Sequence, residues 1–218
     1  IAEANGADRI ELISGIKEGG VTPSYGLIHH AVKATKLPVN VMIRPHANHF
    51  CYSPADIEIM KEDIRHAIEL GAAGIVLGVL TPQGNVDTPA LEVLLEEVGG
   101  CSVTFHRAID EIDDQMEALE TLLQYTKIDR VLTSGGEEDV YEAGDQIKRM
   151  VEWSKSHPLK IMGGGGLRMR NLEPFVRETG MEEVHLGIGA RIDENPLAAV
   201  DSAKVRAAAD IVRRIQSE

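Results

Sequence analysis

The feature that most constrains this chain is a repeat of pattern rather than of sequence. Short β-branched and apolar runs recur from end to end, each followed by a segment of helical periodicity. The runs centre on Ile10, Val41, Val76, Val103, Val131, Ile161 and Val184, spaced 31, 35, 27, 28, 30 and 23 residues apart. That is the length of one strand–helix unit, so the pattern predicts βαβ units and a parallel sheet. No stretch rich in Gly, Ser or Pro interrupts the series, which predicts one domain over residues 1–218.

The helices carry their own punctuation. Thr22-Pro23, Ser53-Pro54 and Thr88-Pro89 each set an N-cap oxygen before a Pro at the first helical position. After Pro54, Ile57, Met60, Ile64, Ala67 and Ile68 fall on one helical face, and Gly71 closes the helix. Leu91, Leu94, Leu95 and Val98 repeat the pattern, as do Met116, Leu119, Leu122 and Leu123, then Ile147, Met150 and Val151, and finally Val205, Ile211, Val212 and Ile215. These stripes are packing surfaces, and the Glu and Asp between them form solvated faces.

Seven such strands build either a doubly wound sheet or a barrel. Doubly wound strands are buried on both faces and read as continuous apolar runs. Here Asn40, Met42 and Arg44 alternate with Val39, Val41 and Ile43, and Thr104 and His106 alternate with Val103 and Phe105. Arg9 and Glu11 flank Ile10, and His185 lies between Val184 and Leu186. Period-two alternation with one polar face fits a TIM (β/α)8-type barrel with a partly polar interior. The spacings average about 29 residues, so eight units need about 232, and a full barrel typically takes about 250. With 218 residues and seven visible strands, the chain as given is expected to lack the first barrel strand. Ile1–Gly6 then reads as the tail of a helix ended by Gly6.

Composition narrows the function. Lys and Arg number 22 against 35 Asp and Glu, a net charge of −13, which argues against nucleic-acid or polybasic membrane-surface binding. A hydrophobic fraction of 43% supports a sizeable core and argues against disorder. No apolar run approaches the roughly 18–20 residues of a membrane-spanning helix. The two cysteines, Cys51 and Cys101, argue against a disulfide scaffold and suit a reducing cytosol. Cys101 precedes its strand and Cys51 follows one, so the two belong at opposite ends of the barrel.

TIM-barrel active sites lie at the carboxyl ends of the strands. The polar residues expected there are Glu11, Arg44, His106, Arg107, Asp110 and His185, a set able to do general acid–base work on a small anionic or phosphorylated metabolite. The competing reading is that Arg and Glu inside the barrel pair with each other only to satisfy buried charge. Gly163, Gly164, Gly165 and Gly166 follow the sixth run, where glycine N–H groups can converge on an anion, and Ser134 and Gly135, one run earlier, can add donors. Their alternative role is a tight strand-to-helix turn. His46, His49 and Cys51 share one loop and offer soft donors for Cu(I) or Zn(II), against the plain reading of an ordinary polar loop.

Several segments resemble the CutC family of copper-homeostasis proteins: RIELISGIKEGGVTPSYGLI (9–28), VMIRPHANHFCYS (41–53), GVLTPQGNVD (78–87), VTFHRAID (103–110), RVLTSGG (130–136), MGGGGLRMRN (162–171) and DSAKV (201–205). The resemblance implies a cytoplasmic TIM barrel associated with copper tolerance, a homo-oligomer (dimer or larger), Cu(I) as the bound ion and no established reaction. It also implies a cysteine after RIEL and another before Tyr-Ser as Cu(I) ligands. Cys51 holds the second position, but Ile13 stands at the first, and His46-Ala47-Asn48-His49 replaces an Arg-Gly-Gly-Asp loop. Two functions are therefore expected: copper handling through Cys51 with His46 and His49, or an enzyme acting on a small anionic metabolite at the barrel mouth.

Overall fold

The computed structural model describes residues 1–218. Every expected run forms a strand: β1 (Ile10–Leu12), β2 (Val39–Met42), β3 (Gly74–Leu77), β4 (Ser102–Phe105), β5 (Ile128–Thr133), β6 (Lys160–Gly163) and β7 (Glu183–Val184). They pair in sequence order and all neighbours run parallel. Seven helices alternate with them: α1 (Tyr25–Ala34), α2 (Pro54–Glu69), α3 (Thr88–Glu97), α4 (Gln115–Leu122), α5 (Gly144–Ser154), α6 (Met169–Thr179) and α7 (Ser202–Gln216). The result is a curled, TIM-barrel-like α/β sheet.

The alternation has the expected meaning. Val41, Ile43, Ile75, Leu77, Val103 and Phe105 are fully buried against the helices, together with Met60, Ile64, Leu91, Leu94, Leu119, Leu122, Ile147 and Met150. The other strand face turns inward and is polar. Asn40, Thr104, Arg9 and Glu183 line the lower interior, and Arg44 and His106 the upper.

Two of the three expected caps shift. Ser53 caps α2 in a reciprocal capping box with Asp56, but α1 is capped by Ser24 and α3 by Asp87. Thr22 is diverted because its Oγ1 accepts the Arg44 N–H at 2.8 Å, tying the chain to the end of β2. Gly6 ends only a 3-10 turn, Glu3–Asn5, rather than a longer helix.

The edge strands β1 and β7 are each hydrogen-bonded on one side only. Between them lies a cavity of about 610 Å³, roofed by Val205, Ala208, Ala209 and Val212 of α7. Of the residues on that face only Ala208 is fully buried, unlike the stripes of α2 to α5.

Candidate functional site

At the carboxyl ends of the strands a cavity of about 230 Å³ is lined by Glu11, Arg44, His106, Arg107 and His185, with Gly165, Gly166 and Arg168. Five of the six side chains expected to converge therefore do so. The sixth, Asp110, stands behind the cavity wall.

Arg44 follows β2 and is only 8% exposed. One Nη donates to the carbonyls of Glu18 and Gly20 at 2.9 and 3.0 Å, and its guanidinium carbon lies 4.7 Å from the Phe50 ring centroid. These contacts hold the cation without a carboxylate, and its Nε–H has no partner within the chain.

His106 follows β4 and is 3% exposed. Its ring packs on Phe50, with centroids 4.9 Å apart, and lies so close to β3 that a Cβ on Gly78 would come within 2.5 Å of Nδ1. Only glycine permits that approach. Burial, with the guanidiniums of Arg44 and Arg107 nearby, pushes the His106 pKa down to about 3. The ring is therefore neutral at pH 7. Nδ1 accepts the Ala108 N–H at 3.2 Å, so the single ring proton sits on Nε2. Nε2 is buried and meets no partner. Two orphaned donors, Arg44 Nε–H and His106 Nε2–H, thus belong to side chains lining one cavity, and orphaned buried donors each cost about 1–3 kcal/mol.

Asp110 explains how Arg107 is presented. Its carboxylate accepts Thr133 Oγ1–H at 2.5 Å, Ser134 N–H at 3.0 Å and Arg107 Nε–H at 2.8 Å, while the one Ser134 Oγ proton is shared between Asp110 at 2.8 Å and the Glu137 carbonyl at 2.6 Å. Arg107 also donates to Ser134 Oγ at 2.9 Å. Asp110 and Ser134 are consequently spent on holding Arg107, and Gly135 N–H is taken by Thr133 Oγ1 at 2.8 Å.

The glycine run divides in the same way. Gly163 ends β6, and Gly164 N–H continues the sheet to the Thr133 carbonyl at 2.9 Å. Gly165 and Gly166, at φ +93° and +81°, turn the chain toward α6, and neither N–H donates to a carbonyl of the chain. A Cβ on Gly165 would sit 3.1 Å from Arg107 Cζ, so the guanidinium packs directly on this backbone.

Across the cavity, Glu11 and His185 approach within 3.9 Å, Oε2 to Nδ1, a spacing longer than a hydrogen bond. The charge-satisfying alternative is met one layer down, where Glu183 pairs with Arg130 at 2.6 Å and with Arg9. Burial would raise the Glu183 pKa, but the two guanidiniums hold it below the usual carboxylate value.

The loop donors do not join this cavity. Cys51 is free, and its thiol donates to the Thr81 carbonyl at 3.3 Å. His46 and His49 stack edge to face at 5.0 Å, and His46 Nε2 lies 3.7 Å from Asp56. No three His, Cys, Asp or Glu side chains gather around one point, so these residues as placed do not fit a copper ion. Cys101 bonds the Ala72 carbonyl, before β3, whereas Thr81 follows it, which puts the two thiols at opposite ends of the barrel. Ile13 lines the mouth cavity.

Sequence reasoning missed Phe50 and Arg168 as cavity-lining residues. Arg168 pairs with Glu194 at 2.9 Å, a contact between distant segments that no local pattern announces. Phe50 adjoins Cys51, and an aromatic between strand-end polar residues was the one available hint.

Comparison with known proteins completes the description. The model of the CutC family matches residues 1–190. A family protein CutC of Pasteurella multocida is 42% identical over 200 residues, 91% of this chain and 81% of its own. A human copper homeostasis protein cutC homolog is 45% identical over 184 residues, 84% of this chain and 67% of its own. The crystal structure of a putative copper homeostasis protein CutC from Streptococcus agalactiae superposes with a TM-score of 0.77 at 36% identity, covering 82% of this chain and 87% of its own. A phosphoribosyl anthranilate isomerase from Thermococcus kodakaraensis shares the fold, at TM-score 0.63 and 16% identity over 97% of this chain and 91% of its own.

Proposed function

Because the chain belongs to the CutC family, we propose that it serves copper homeostasis in the cytoplasm and that its working site is the barrel mouth, which takes a small anionic metabolite. The observation that supports this is Arg107, braced by Asp110 and packed on Gly165 at the cavity wall, beside the Gly165 and Gly166 N–H groups that donate to no carbonyl of the chain. Together they give an anchor suited to a phosphate. A protein carrying net charge −13 thus concentrates guanidinium groups at one small mouth. Glu11 and His185, across the cavity, supply an acid–base pair for proton transfer on the bound molecule.

The test is calorimetric titration with inorganic phosphate at pH 7. One site is expected, and Arg107→Gln should weaken it at least about tenfold, the loss of one charge-assisted contact. No binding, or binding indifferent to that substitution, overturns the reading.

A second reading makes Cu(I) the cargo of the Cys51 loop. It is supported by the free thiol of Cys51 and the two imidazoles in the same loop, and it requires the thiol to leave the Thr81 carbonyl and the loop to close with the imidazoles or with a second copy of the chain. Cu(I) titration of the reduced protein should then show one tight site that Cys51→Ser removes. Unchanged or absent binding eliminates this reading.

A further inference from the structure

We propose that the ligand of the barrel mouth carries a hydrogen-bond-donating group, an ammonium or a hydroxyl, a few bonds from its phosphate, and that Glu11 receives it. The inference rests on the anion-binding reading above and adds the chemistry of the ligand's other end. Its foundation is an unpaired carboxylate in the cavity that holds the anion anchor. Glu11 lines the mouth with its side chain only 13% exposed. A carboxylate withdrawn from most of its water is costly unless a donor or a cation pairs it. No donor of the chain does so, since His185 Nδ1 at 3.9 Å is beyond hydrogen-bond distance. The nearby cations are engaged elsewhere. Arg9, two residues back on β1, pairs with Glu183, and Arg44 gives its Nη groups to the carbonyls of Glu18, Gly20 and Ala47. Arg107 is held by Asp110 and Arg168 by Glu194. The acceptor capacity of Glu11 is thus left for what fills the cavity.

Contacts run unbroken from the anion anchor round to this carboxylate. A Cβ on Gly165 would lie 3.1 Å from Arg107 Cζ, and one on Gly164, the preceding residue, 3.0 Å from His185 Cβ. His185 in turn faces Glu11. The groups that would meet a ligand are open to it. The side chains of Arg107 and His185 are 43% and 28% exposed, and one Arg107 Nη has no acceptor within the chain, because Nε is taken by Asp110 and the other Nη by Ser134.

One side of the cavity therefore presents a guanidinium with free N–H groups, and the other an unpaired carboxylate. The complement is a molecule of opposite polarity, with a phosphate facing Arg107 and a donor facing Glu11. A second anionic group at the Glu11 side would be repelled, which disfavours a bisphosphate or a phosphorylated carboxylic acid. A cavity of about 230 Å³ restricts the ligand to a few carbons.

The experiment is calorimetric titration of the intact protein at pH 7 with inorganic phosphate and four esters that differ only at the far end: ethyl phosphate, 2-hydroxyethyl phosphate, O-phosphoethanolamine and phosphoglycolate. The ammonium or the hydroxyl ester should bind at least about tenfold more tightly than ethyl phosphate, the gain of one hydrogen bond to a charged group, and the tighter of the two identifies the donor. Phosphoglycolate should bind more weakly than ethyl phosphate. In Glu11→Gln the four esters should converge to within about threefold, because the amide neither attracts a cation nor repels an anion. Retention of the order in a variant whose urea midpoint is near wild type would assign the selectivity to another group and overturn the inference. If that variant does not fold, the series on the wild-type protein decides alone. If phosphate binds but the donor esters gain nothing over ethyl phosphate, or phosphoglycolate binds best, the inference is wrong and the anion-binding reading stands. If neither phosphate nor any ester binds, that reading fails and takes the inference with it.

Discussion

His106 should make the fold acid-labile in a way that a single substitution cures. The folded-state pKa lies at about 3, against an ordinary value of 6.5. The unfolded chain therefore takes up this proton first as the pH falls. Stability linked to His106 is fully present above pH 6.5 and drains away as the pH drops toward 3. Inside that window the slope is about 1.4 kcal/mol per pH unit for one group. Between pH 6.5 and 5 the expected loss is about 2 kcal/mol, or about 4–8 °C in Tm for a chain of this length. The ionised Glu183 cluster does not contribute until lower pH, since its folded-state pKa is below 4.5. His106→Gln keeps a donor of similar reach but cannot titrate. Urea unfolding of wild type and variant at pH 7, 6 and 5 should show the wild type losing about 2 kcal/mol more than the variant. Parallel losses in the two proteins would mean that His106 is protonated in the folded state, and the assignment of a lone Nε2–H donor would fall.

Three further outcomes follow from the same contacts. Asp110→Ala should cost about 3 kcal/mol in urea unfolding, because Ser134 N–H and Thr133 Oγ1–H lose their acceptor, and should weaken phosphate binding by releasing Arg107. Glu183→Gln should destabilise by about 2 kcal/mol at pH 6 by leaving Arg130 and Arg9 uncompensated. A carboxylate with a depressed folded pKa stabilises only above its unfolded value, so the gap between wild type and this variant should narrow as the pH falls below 4.5. Leu94→Ala in the sealed core should cost about 2–5 kcal/mol, whereas Val212→Asp, facing the gap between β1 and β7, should cost under about 1 kcal/mol by thermal melting; equal costs would mean that the gap is filled in solution.

The sheet was legible because one face of each strand is aliphatic and the other polar, as in Val39–Arg44, and that alternation survives folding intact. The mouth was legible because strand-end residues must converge in a barrel, whatever their distance in sequence. The division of labour among them was not. Asp110 and Glu11 look alike in a string of letters, yet Asp110 accepts from three donor groups and shares the Ser134 hydroxyl, whereas Glu11 accepts from none. That distinction depends on which loops pack behind which, as does the exchange of Thr22 for Ser24 at the start of α1. The tautomer of His106 likewise follows from a backbone turn two residues long, which spacing does not encode. The loop of His46, His49 and Cys51 shows the converse: donors adjacent in sequence point to different partners in space.

The most direct test of the anion-binding mouth is a crystal soaked in selenate, whose anomalous scattering locates a tetrahedral dianion without a substrate being known. A peak should lie in the mouth cavity, within hydrogen-bond distance of Arg107 and of the Gly165 or Gly166 N–H, and should vanish in Arg107→Gln crystals. A mouth without such a peak in crystals that bind selenate elsewhere would contradict the account.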